Sequence, residues 1–122
     1  MNPTDYPQQI EKLNVDAARC NQYIEEVRAQ ISAIESELQL EITRARNPDG
    51  KPVFTNDTAR AAAFTKSCDE SDELQTLIAE RCTHEFRRAE ILAKLERLRL
   101  EFKLHLLDRQ EQISRQISGV II

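Results

Sequence analysis

Tryptophan is absent from this chain, and the residues that punctuate a fold are scarce: two glycines and four prolines in 122 residues, with aromatics at 5%. Few turn formers exclude a fold of many short strands, and Ala, Leu, Glu, Arg and Gln throughout are the composition of long helices. The motifs of common chemistries are missing too. There is no paired CxxC, no HExxH and no glycine-rich phosphate loop; the Asp49-Gly50-Lys51 turn has neither the preceding strand nor the glycine spacing of one. Three cysteines, Cys20, Cys68 and Cys82, are an odd number without paired spacing, which excludes a disulfide framework and fits reduced thiols. Cys20 and Cys82 fall on apolar stripes and read as small buried hydrophobes. No apolar run is long enough to span a bilayer, and Met-Asn-Pro-Thr-Asp lacks the regions of a signal peptide, so a cytoplasmic location without membrane contact is expected.

What is present is charge, at 31% of residues, beside 40% hydrophobic residues. The net charge of −4 exerts no general pull toward nucleic acid or anionic lipid. Its distribution is uneven. Residues 1–46 hold five basic and eight acidic groups, residues 47–80 three and seven, and residues 81–122 nine and six. The last helix is therefore locally basic, complementing the first.

The run from Ser71 to Gln116 organises the rest, because it carries apolar residues on two faces of one helix. At 100° per residue, Leu77, Ile91, Leu95, Leu98, Phe102, Leu106 and Ile113 fall within about a quarter-turn of one another. A second set, Ile78, Cys82, Phe86, Ala89, Ala93, Leu100, Leu104 and Leu107, clusters roughly 140° away. One partner helix cannot cover both.

Upstream, Asp5 with Gln8 resembles a capping box, and Pro7 in the first turn costs no helical hydrogen bond, so a helix begins near residue 6. From there Ile10, Leu13, Ala17, Cys20, Ile24, Val27, Ile31, Ile34 and Leu38 alternate spacings of three and four, a coiled-coil seam; Ile42 and Ala45 then shift the register as a stutter. The helix ends by Arg46. Asn47-Pro48-Asp49-Gly50-Lys51-Pro52 reverses the chain within an inter-helix turn over 47–55. Thr55 or Asn56 caps a short helix over 57–67, with Phe54 closing on Ala59 as a staple. The poor helix formers of 67–73 predict a break, Ser67 and Glu70 matching a capping box, before a long helix over 72–117. Without that break a helix from 57 would be about 90 Å long against about 60 Å for the first.

The expected fold is a single all-α domain over 1–122, an elongated antiparallel helical hairpin forming a coiled-coil bundle. Its seam pairs Ile24, Val27, Ile31, Ile34 and Leu38 with Ile91, Leu95, Leu98 and Phe102. The second set requires the short helix or another copy of the chain, since an apolar face of that size is unusual on a monomer; a homodimer is expected, its direction open. An apolar tail over 118–122, with Val120, Ile121 and Ile122, offers a further docking element.

The segment Gly50-Lys51-Pro52-Val53-Phe54-Thr55-Asn56-Asp57-Thr58-Ala59-Arg60 resembles uncharacterised helical-hairpin proteins of phages and bacteria. There a long helix precedes an Asp-Gly-Lys-Pro, aromatic, Asn, Arg segment, and a Leu-rich helix follows a short acidic break. That ordering is similar to the span from about residue 10 to 110. The resemblance implies mainly the fold, together with a loose association with phage recombination genes. This chain departs from it in low lysine content and a hydrophobic C-terminus.

Chemistry finds little purchase. Cys82 and His84 point about 200° apart on a helix and cannot clasp one ion, and His105 lies further along. A narrow helical hairpin offers no cleft for a Cys or Ser nucleophile beside a base. No catalytic residue, metal or cofactor is expected. The basic residues of the last helix are interleaved with acids, several at i,i+3 or i,i+4 spacing, and read as internal ion pairs. The expected function is a non-enzymatic structural or adaptor module that self-associates and docks a protein partner. The competing reading is a nucleic-acid-associated accessory or regulatory protein using Arg87, Lys94 and Arg97 on the outer face.

Overall fold

The computed structural model describes residues 5–121, with side chains described through Gly119. Three helices follow one another, α1 (Tyr6–Arg44), α2 (Asp57–Glu70) and α3 (Asp72–Ile121). Among the described residues the one β element is an isolated bridge between Arg46 and Pro52. The fold is an all-α helical hairpin, as the composition requires.

The reversal after α1 is built from its turn formers. Gly50 N–H donates to the Asn47 carbonyl at 2.9 Å, and Gly50 takes φ +80°, the left-handed conformation that residues with a Cβ avoid. The Asn47 side-chain oxygen accepts from the N–H groups of Asp49 and Lys51, both at 3.0 Å. Outside this knot, Asn47 N–H donates to the Lys51 carbonyl at 2.9 Å and Val53 N–H to the Ala45 carbonyl at 3.1 Å. This short ladder is why α1 stops at Arg44, two residues before the expected end: Ala45 and Arg46 are taken by it. The Arg46 guanidinium turns back, donating to the carbonyls of Thr43 and Ala45 at 3.1 and 3.2 Å, which satisfies acceptors that the helix end leaves open.

Asn56 caps α2, its side-chain oxygen accepting from Ala59 N–H at 2.7 Å. The predicted break is real but narrower and later than the acidic stretch suggests. Helix α2 continues through Glu70, and Ser71 alone leaves the helix, with φ −82° and ψ 104°. Its hydroxyl accepts from Leu74 N–H at 3.2 Å and its carbonyl from Gln75 N–H at 3.0 Å, so Ser71, not Ser67, starts the last helix. Asp72 and Glu73 then stand in the first turn of α3, where the helix dipole favours negative charge. Helix α3 runs on to Ile121, beyond the expected residue 117.

Contacts divide the chain into two compact units, each taking a stretch of α1 and a stretch of α3. In the unit of residues 22–85, Val27 and Ile31 pack with Leu74 and Leu77, and Ile34, Leu38, Cys68 and Ile78 close around them. Tyr23 stacks on His84 there, centroids 5.3 Å apart, and Arg28 reaches Glu85 at 3.3 Å. In the unit of residues 1–21 with 86–122, Ala17 and Cys20 pack with Ile91, and Leu13 adjoins them. Asn21 accepts from Arg88 at 2.9 Å and Asn14 from Arg99 at 3.2 Å; Tyr6 stacks on Phe102, so the two helices run antiparallel. All nine residues expected in the seam are covered: Ile24, Val27, Ile31, Ile91 and Leu95 are buried, and Ile34, Leu38, Leu98 and Phe102 half-buried.

Candidate protein-docking surface

In the unit of residues 1–21 with 86–122, six members of the second apolar set lie on one exposed side of α3. Phe86 is 69% exposed, Leu104 57%, Leu100 56% and Leu107 51%, and Ala89 and Ala93 are exposed between them. Phe86, Ala93, Leu100 and Leu107 recur every seven residues, the spacing that keeps a stripe facing one partner along a supercoiled pair. The alanines leave a shallow stretch between Phe86 and Leu100, where a second helix can approach closely. Isolated exposed leucines are ordinary on a protein surface; here the exposed apolar residues follow one another along one side of a single helix.

Two members of the set belong elsewhere. Ile78, in the unit of residues 22–85, is half-buried against the Val27, Ile31, Leu74 and Leu77 cluster. On the helical wheel it stands only about 40° from Leu74, so the edge of the buried face captures it. Cys82 is exposed, which corrects its reading as a buried hydrophobe, whereas Cys20 is buried as expected. Partial burial, then the charges of Glu35 and Asp69, push the Cys68 thiol above its ordinary pKa.

The proposed nucleic-acid face is present as three exposed cations. Among the described residues Arg87, Lys94 and Arg97 join no ion pair, but Glu90 and Glu101 fall between them on the wheel. Their neighbours Arg88 and Arg99 are engaged by Asn21 and Asn14, ties that no spacing rule on one helix reveals. Among the described residues no three His, Cys, Asp or Glu side chains converge as metal ligands; His84 is stacked on Tyr23, and His105 lies 6.3 Å from the Tyr6 ring. No described helix is long and apolar enough to cross a membrane.

A second concavity lies in the unit of residues 22–85. Phe54, Ala59, Ala62, Ala63, Lys66, Ser67 and Glu70 line an open groove of about 480 Å³. Phe54 and Ala59, the pair expected to close as a staple, both line it, and Arg60 donates to the Phe54 carbonyl at 3.3 Å. The tail residues Val120, Ile121 and Ile122 lie outside the described side chains. No protein-family model matches the chain, and no curated protein or solved structure matches it either.

Proposed function

We propose that this chain is a non-enzymatic helical adaptor, one that self-associates as a coiled coil through the lateral face of α3 and holds a protein partner. The observation that carries the reading is the exposure of Phe86, Leu100, Leu104 and Leu107 on one side of a single helix. Covering such side chains is the main driving force of association, at about 25 cal/mol per Å² of apolar surface.

Molar mass from light scattering tests this. The wild type is expected to exceed one chain's mass, and Leu100→Glu with Leu104→Glu to lower it at unchanged helix content. A wild type of 14.1 kDa at every concentration would sink self-association and leave the lateral face to a different protein. The competing reading is favoured only by the exposure of Arg87, Lys94 and Arg97. Fluorescence anisotropy at low salt, with binding lost on their replacement, would support it; no binding there removes it.

A further inference from the structure

Size is distributed unevenly along the lateral face of α3. In the unit of residues 1–21 with 86–122, the small side chains Ala89 and Ala93 stand toward one end and Leu100 and Leu104 toward the other, with Phe86 and Leu107 outermost. All six are exposed and fall within about 60° of one another on the wheel, and their centre lies about 150–170° from the buried Ile91 and Leu95. In this unit α1 therefore occupies the opposite side of α3, and the lateral face is open to another helix. The positions are also mirrored. Phe86 and Leu107, Ala89 and Leu104, and Ala93 and Leu100 are each equidistant from the point midway between Glu96 and Arg97.

We infer, resting on the reading that this face self-associates, that its occupant is a second copy running antiparallel, with the two-fold axis between Glu96 and Arg97. In that register Ala93 meets the partner's Leu100 and Ala89 the partner's Leu104, so each small side chain leaves room for a large one, and Phe86 meets the partner's Leu107; the axis repeats all three layers. The spacing agrees. Steps of three and four from Phe86 to Ala93 face steps of three and four from the partner's Leu107 back to its Leu100, so the side chains stay level in every layer. A shift of one heptad sets Ala93 on the partner's Ala93, which leaves a void, or Leu100 on the partner's Leu100, which crowds the layer.

A parallel copy is matched less well. It sets Ala89 and Ala93 each against itself, two thin layers in succession between the Phe86 layer and the Leu100 layer. It also brings Glu111, which stands within the same arc one turn beyond Leu107 and pairs with Arg115 of its own helix, against the partner's Glu111; the antiparallel copy sends the two carboxylates to opposite ends. What a parallel copy gains lies at the rim, Arg97 beside the partner's Glu96 and Lys103 near the partner's Asp108. The antiparallel copy sets Glu96 and Arg97 each near its own kind at that rim. Exposed charges there, attractive or repulsive, are screened and count for little beside packing.

Sedimentation equilibrium on wild type, Ala93→Leu, Leu100→Ala and the double change tests it. Both positions are exposed on the single chain, so circular dichroism should show unchanged helix content. Each single change is expected to raise the dimer dissociation constant at least about tenfold, by crowding or by a void, and the double change, which exchanges the two sizes within a layer, to bring it back within about threefold of wild type. Ala93→Leu that tightens the dimer, as a parallel pair requires, or a double change that recovers nothing, would overturn the antiparallel register and leave the lateral face standing as the dimer surface. Disulfide trapping reads direction separately: with Cys68→Ser and Cys82→Ser in place, the Ala93→Cys and Leu100→Cys proteins should cross-link when mixed and not singly. Cross-linking of each protein with itself would overturn the inference in favour of a parallel pair. A wild type monomeric at every concentration would overturn it together with the self-association on which it rests.

Discussion

The ring of Tyr6 lies over the ring of Phe102, centroids 5.4 Å apart and planes inclined by 29°. It ties the first residue of α1 to α3, and offset aromatic pairs contribute about 0.5–1.5 kcal/mol beyond the area they bury. A double-mutant cycle of Tyr6→Leu and Phe102→Leu, followed by urea unfolding, should return a coupling energy in that range. Independent, additive losses would mean the rings merely sit near each other.

Leu74 and Leu104 are the same residue type on the same helix, 1% and 57% exposed. Leu74→Ala removes a side chain packed against Val27 and Ile31 and should cost about 2–5 kcal/mol. Leu104→Ala should change the stability of the single chain by under about 0.5 kcal/mol while weakening association. Equal losses in the two variants, measured at a concentration where the chain is monomeric, would show that Leu104 is covered from within.

Leu74 also shows where the sequence was readable and where it was not. The α1 seam was legible because its spacing of three and four runs unbroken from Ile10 to Leu38, and the matching α3 residues from Leu77 to Phe102 follow from helical geometry alone. Leu74 lies inside the expected helix over 72–117 but stands about 40° outside the arc shared by Leu77, Ile91, Leu95, Leu98, Phe102, Leu106 and Ile113, so the wheel alone leaves it off the seam. Ser67 and Ser71 are both plausible caps by composition; only the hydroxyl of Ser71 reaching Leu74 N–H decides between them. By angle Ile78 belongs to the outer set, but burial depends on what packs nearby, and Cys68 and Ile34 close around the same cluster. Asn14 with Arg99 and Asn21 with Arg88 depend on the register between helices, which neither helix encodes by itself.

Gly50 is a second sensitive point, for a backbone reason. A Cβ added there would meet nothing within 4 Å, so the effect of Gly50→Ala is purely conformational. The left-handed φ of +80° costs a residue with a Cβ about 1–2 kcal/mol. Chemical denaturation should show that loss. No loss would mean that the turn relaxes to another type without disturbing the Ala45–Val53 ladder.

The cysteines should separate by reactivity. Cys82 is exposed, Cys68 half-buried with a raised pKa, and Cys20 buried, so an aromatic disulfide reagent at pH 8 should modify them in that order, Cys20 only on unfolding. Folding favours the neutral Cys68 thiol. Its contribution is therefore full below the unfolded thiol's pKa, about 8.5, and fades as pH rises through the higher folded value. Cys68→Ser should flatten the alkaline fall in stability; an unchanged fall would assign it to other groups.

A single residue, Ser71, joins α2 to α3, and α2 contains no buried residue. Such a segment can open by rotating one backbone hinge, giving up only half-buried packing, that of Ala63, Phe64, Ser67 and Cys68, and the Gln75 bond to the Cys68 carbonyl. In the unit of residues 22–85 this defines a foldon of low stability beside one of high stability. Amide protons of Asp57–Glu70 should exchange with deuterium through local opening, faster and with weaker denaturant dependence than those around Ile24 and Leu74, which wait for the whole chain to unfold.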